Sequence, residues 1–158
     1  MAFTIALTAG KLATFPSRPA TVTADPKSFQ VQIDCDPRLA AAAGGVARFV
    51  SESAGLESSE SLQFQKAVVA ACVEAFKLLN IAHPHVAVTT TRFPDRIEVK
   101  LAYEPAPSAT KDFAGKAGPR KPASNSMPKG VDQMQREVCD GMATTRLTKY
   151  LRTPPFEK

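Results

Sequence analysis

The segment Ser58 to Ile81, SSESLQFQKAVVAACVEAFKLLNI, constrains the fold more than any other part of the chain. Leu62, Ala67, Val68, Ala71, Cys72, Ala75, Phe76 and Leu79 cover most of a helical circumference, so this helix must lie centrally with partners on several sides. Ser58 or Ser59 supplies the N-terminal signal, Glu60 suits the first turn, and His83-Pro84 stops the run. One polar stripe interrupts the apolar surface: Gln63, Lys66, Ala70, Glu74 and Lys77 step by three, four, four and three residues. Glu74 and Lys77 stand one turn apart on it and are expected to pair, either on a solvated face or along a cleft.

A buried helix needs a sheet or other helices to bury it, and the flanking sequence supplies both. FQVQID, Phe29–Asp34, alternates at period two and reads as a strand with Phe29, Val31 and Ile33 on one face. Asp36-Pro37 then starts a helix, as N-cap and first helical residue, with Leu39, Ala43, Val46 and Val50 at helical spacing up to Gly55. Gly44-Gly45 weakens it by roughly 1 kcal/mol each relative to alanine. HVAVTTT and RIEVKLAY, joined by RFPD, predict a β-hairpin with Ile97, Val99, Leu101 and Tyr103 sharing a face. Residues 105–129 are rich in Pro, Gly, Ser, Ala and Lys and read as a long lid-like loop, and Val131, Met134 and Val138, then Ala143, Leu147, Tyr150 and Leu151, predict a last helix.

The fold class expected from this order is α+β, an α/β sandwich with helices packed on one face of a mixed or antiparallel sheet. At 158 residues and 44% hydrophobic content the chain suits one domain, residues 28–153, with an N-terminal extension over 1–27 that adds at most an edge strand, and a tail over 154–158. No apolar run reaches the roughly 20 uncharged residues of a membrane span, the N-terminus lacks a secretory pattern, and Cys35, Cys72 and Cys139 form no pairing motif. A reducing cytoplasmic setting is expected, with Cys72 in the core.

The net charge of +5 is localised: residues 1–104 carry ten basic and ten acidic side chains, residues 105–158 ten and five. Lys111, Lys116, Arg120, Lys121 and Lys129 form a basic set suited to an acidic protein partner or to phosphates. Interleaved aromatics, which single-strand binders use as stacking platforms, are nearly absent. His83 and His85 flank Pro84 and are too sparse for a zinc site, so a turn role is expected, and Asp36, Asp95 and Asp132 read as caps. No phosphate-loop or nucleophile signature occurs.

Four stretches together, IDCDPRLAAAAGGVARFVSESAGL, VVAACVEAFKLLNIAH, VAVTTTRFPDRIEVKLAYEPAP and DGMATTRLTKYL, resemble the small bacterial anti-sigma-factor serine kinases of the histidine-kinase-type ATPase superfamily, over about residues 29–152. The resemblance implies a fold that binds ATP and magnesium under a lid, phosphorylates a small partner and sequesters a sigma factor. Within it, Glu74 matches the general base of E-x-x-x-N and Gly141 the one retained glycine of G-x-G-L. The magnesium asparagine is replaced by Leu78, which has no oxygen to offer a hard cation. Tyr103, Glu104, Pro105, Ala106 and Pro107 stand where D-x-G-x-G would bind adenine, and proline removes the amide donors such a pocket needs.

The expectation is therefore a non-catalytic protein-interaction regulator related to these kinases, a pseudokinase without a cofactor, whose partner is an acidic protein such as a sigma factor or its antagonist. An active ATP-dependent serine/threonine kinase using Glu74, with ATP and Mg as cofactors, and a nucleic-acid-binding module built on the basic third stay open. Self-association into a homodimer stays open too.

Overall fold

The computed structural model describes residues 27–109 and 127–151. Its elements are β1 (Lys27–Asp34), α1 (Pro37–Ser53), α2 (Ser58–Leu78), β2 (His85–Arg92), β3 (Arg96–Tyr103), β4 (Gln133–Cys139) and β5 (Met142–Tyr150). The fold is α+β. Five strands in the order β1-β2-β3-β5-β4 form one sheet, antiparallel at every pairing, and the two helices pack on one face of it. No described helix is long and apolar enough to cross a membrane.

Local chemistry explains the first half. The Asp36 side chain accepts from the Arg38 backbone N–H at 2.8 Å, and Pro37 occupies the first helical position, as their sequence order predicts. α1 presents Ala40, Ala43, Ala47 and Val50 to the core, while Leu39 and Val46 are only half-buried, so its inward stripe is narrower and smaller than the expected one. That smallness brings the helices close. A Cβ on Gly44 would lie 2.5 Å from Val69 Cγ2, whereas one on Gly45 would meet nothing within 4 Å. The two glycines do not break the helix; Gly44 lets α2 approach.

α2 buries Ser61, Phe64, Ala67, Val68, Cys72 and Ala75 over the sheet. Beneath them lie Ile33, Val86, Val88, Ile97, Val99, Leu101, Tyr103, Ala143 and Leu147, all on the helix side of their strands. β2 and β3 form the expected hairpin, closed by a Phe93 N–H to Arg96 carbonyl bond of 2.8 Å with the Arg96 guanidinium 4.3 Å over the Phe93 ring. The opposite face is polar, carrying Gln30, Gln32, Lys100 and Arg146, the pattern of an antiparallel sheet with one wet side.

The structure corrects the sequence reading in three places. The chain after Val131 is a β-hairpin, not a helix: Cys139 pairs with Met142 around a two-residue turn in which Asp140 has φ 53° and Gly141 φ 77°. Two successive left-handed residues make the tight turn that Asp-Gly favours, and it matches the twist of the strands. Among the described residues every strand pair is antiparallel, so the described sheet is antiparallel rather than mixed. Finally, α2 ends at Leu78 rather than near Ile81, because Leu79 is extended (φ −62°, ψ 143°) and bridges Pro105. The 1–27 extension and the 105–129 loop are described only at Lys27, 105–109 and 127–129; the rest of both, and the 154–158 tail, lie outside the described residues.

Candidate functional site

β4 is the outermost strand on one side, and the helix layer stops short of it. Pairing fixes which of its side chains face the helices: Met134 lies opposite Leu147, Arg136 opposite Thr145, and Val138 opposite Ala143. Arg136 and Val138 remain exposed, Val138 at 37%. Facing them is the polar stripe of α2, in which Gln63, Lys66, Ala70, Glu74 and Lys77 are all exposed, as the helical spacing predicts. The Arg136 charge reaches both Glu74 and Tyr103, and Gly130 presses on Gln63, so the α2 stripe and β4 stand as the two walls of a shallow trough with Tyr103 and Thr145 between them.

The Gln63 end is set by Gly130, whose φ of 92° lets the backbone press against α2. A Cβ there would sit 2.6 Å from the Gln63 carbonyl carbon and 2.8 Å from the Phe64 nitrogen. The adjacent Val131 is buried, and Lys129 stands exposed beside it. Lys149, largely buried, reaches Glu60 at 3.8 Å and Asp132 at 3.5 Å and ties β5 to the start of α2.

The other end holds Glu74. Lys77 donates to it at 2.7 Å, and that bond, followed by the Lys77 charge, holds the Glu74 carboxyl below its ordinary range, with Arg136 adding in the same direction. A carboxylate so stabilised is a weaker proton acceptor. Burial pushes the Tyr103 phenol up, opposed by the Arg136 charge and a hydrogen bond with Thr145. Electrostatically, Arg136 serves both walls.

Beyond Glu74 the chain closes on itself. The Ala106 N–H donates to the Leu78 carbonyl at 2.8 Å, the Asn80 N–H to the Glu104 carbonyl at 2.9 Å, and Asn80 Nδ2 to Glu104 Oε1 at 2.8 Å. These bonds lay Glu104–Ala106 along the end of α2 as one antiparallel bridge, with Pro105 buried. Leu78, one turn on from Glu74, is half-buried there. His83 Nδ1 meets Glu104 Oε2 at 2.9 Å and His85 Nδ1 meets Asp34 Oδ1 at 2.7 Å, so both histidines hold chain segments together around the turn. Among the described residues no group of three or more His, Cys, Asp or Glu side chains is placed to hold a metal ion.

The residues singled out in the sequence are thus partly brought together. Glu74 and the hairpin tip at Gly141 share an end of the sheet, because Tyr103 pairs with Ala143, but Gly141 is a turn residue with open space around it. Of the basic set only Lys129 is described; Lys111, Lys116, Arg120 and Lys121 lie outside the described residues. Arg136 is the residue sequence reasoning missed as a wall of the site. Its signal was Asp140-Gly141, which converts a helical reading of Met134 and Val138 into a strand with Arg136 on the same face. Comparison with protein-family models and with curated proteins finds no match.

Proposed function

We propose that the chain is a non-catalytic protein-interaction regulator, a cytoplasmic relative of the anti-sigma-factor kinases, which receives an acidic protein segment in the trough between α2 and β4. The observation that carries this reading is the closure of the trough end by Glu104–Ala106. Backbone groups that a nucleotide pocket would offer to a ligand are spent on the Leu78 and Asn80 backbone. Pro105 and Pro107 bring no N–H at all. Leu78 gives a magnesium ion nothing to bind. Glu74 is ion-paired with its carboxyl held low, which suits charge pairing better than proton abstraction.

The trough supports a protein partner in its composition. Lys66, Lys77, Arg136 and Lys129 give four cations against Glu74, with Ala70, Met134 and Val138 as apolar ground between them. Such a surface steers an acidic segment and holds it reversibly.

Calorimetric titration of the full chain with Mg-ATP tests the nucleotide half: no binding is expected, and micromolar binding overturns it. Capture from a cell extract tests the other half. Arg136→Glu with Lys66→Glu is expected to lose the partner that the unaltered chain retains; equal capture by both removes the trough from the reading.

A further inference from the structure

β4 pairs with β5 over its seven residues, and its other edge is unpaired among the described residues. Met134 is half-buried and the other six side chains are exposed, so a segment laid along that edge would meet both faces of the strand. The helix-facing side carries Met134, Arg136 and Val138, a cation between two apolar residues at alternate positions. The other side carries Gln133, Gln135 and Glu137, and Arg146 and Lys100 continue the Gln135 row across β5 and β3. A charge in the middle of the inward side keeps an edge from pairing indiscriminately, because an apolar or basic residue opposite it would crowd the guanidinium and leave it without a counter-charge. A carboxylate opposite it removes that penalty. Arg136 therefore selects among strands rather than excluding all of them.

Resting on the trough as the receiver of an acidic protein segment, we infer that this segment binds as an added strand. An extended stretch of the partner pairs its backbone with the open edge of β4, and its side chains follow the pattern apolar-x-acidic-x-apolar with the acidic residue opposite Arg136. Backbone pairing supplies attraction that is indifferent to sequence, and the alternate side chains supply the choice. The two apolar residues lie opposite Met134 and Val138, and this face of the segment looks into the trough, where Lys66 and Lys77 add to the attraction of Arg136. The residues between them lie on the wet side opposite Gln135 and Glu137, where polar side chains suffice. Register is set by the charge. A slip of one residue turns the carboxylate to the wet face, and a slip of two sets it against Met134 or Val138. The pattern reads the same from either end, so it follows from the side chains of β4 whichever way the segment runs.

NMR titration of the isotope-labelled full chain with the end-blocked peptide Thr-Val-Thr-Glu-Thr-Val-Thr tests it. Binding is expected, with the largest amide shifts on β4. Two N-methylated peptides decide the mode, because they alter the backbone of the ligand and leave the protein untouched. A strand turns alternate amides toward its neighbour, so methylating one alternate set is expected to weaken binding roughly tenfold or more and methylating the other to leave it unchanged. Arg136→Glu is expected to weaken binding of the parent peptide, and a peptide with lysine in place of its glutamate to regain it on that variant. If both methylated sets bind like the parent, or both lose binding equally, strand addition is overturned, while a loss on Arg136→Glu still supports the trough. Binding that Arg136→Glu leaves unchanged removes the trough and the added strand together. No binding at millimolar peptide overturns strand addition.

Discussion

Lys77 and Glu74 form an ion pair of 2.7 Å one turn apart on α2, with both side chains more than half exposed. Because the pair faces solvent along the trough, its contribution to stability is small, about 0.5 kcal/mol or less. Its effect on charge is clearer. The folded-state carboxyl titrates below its unfolded value, so the pair's contribution is present above the unfolded pKa and is lost as pH falls through the folded one. Lys77→Met should return the Glu74 titration toward the ordinary carboxylate range, read by NMR of the side-chain carbon, with little change in melting temperature. An unmoved Glu74 titration would mean that Arg136, not Lys77, sets its charge.

Gly141 completes the turn between β4 and β5. Its φ of 77° lies in the left-handed region, where alanine is strained, and its surroundings are open, so a replacement meets no steric block. Gly141→Ala should lower stability by about 1 kcal/mol through backbone strain alone. Gly141→Asn, which tolerates that conformation, should recover most of it in thermal melts. If alanine and asparagine behave alike, the turn is not what constrains this position.

How much of this was legible in the sequence depends on spacing. Ile97, Val99, Leu101 and Tyr103 recur every second residue and fit only a strand, and their burial follows. Met134 and Val138, and likewise Ala143 and Leu147, are four apart, a step that satisfies a helical face and a strand face equally. The apolar count could not decide between them; Asp140-Gly141 between the two runs could. The wet face of α2 was readable for the same reason as the β3 core, since the three-and-four steps from Gln63 to Lys77 fit no strand. The trough was not, because it depends on which strand lies beyond β5, and strand order is set by pairing between distant segments.

Cys72 is fully buried on the inner face of α2, and burial pushes its thiol up to about 12, whereas Cys35 and Cys139 are exposed. The thiolate is the reactive form, so at neutral pH the two exposed thiols should react with a disulfide reagent promptly and Cys72 only on unfolding. Raised above its unfolded value, the Cys72 pKa also makes ionisation favour the unfolded chain. Stability is therefore expected to decline as pH rises past the unfolded thiol pKa, a loss that Cys72→Ala would not show. Three equally fast thiols in the native protein would contradict the packing of α2.

Gly44 and Gly45 are neighbours in sequence with opposite expectations. At Gly45, half-buried on α1, an added methyl meets nothing within 4 Å and the helical backbone suits alanine, so Gly45→Ala should stabilise by about 0.5–1 kcal/mol. At Gly44 the same methyl would stand 2.5 Å from Val69 Cγ2 and 3.1 Å from the Gln65 carbonyl oxygen. The valine could turn away, but the backbone oxygen could not, so α2 would have to move off α1. Gly44→Ala should therefore destabilise by about 1–3 kcal/mol despite its better helix propensity. Denaturant titrations of the two single variants check this, and Gly44→Ala with Val69→Ala should recover part of the loss by vacating the space the methyl needs. A stabilising Gly44→Ala would show that α2 does not lie against Gly44 through Val69 and Gln65.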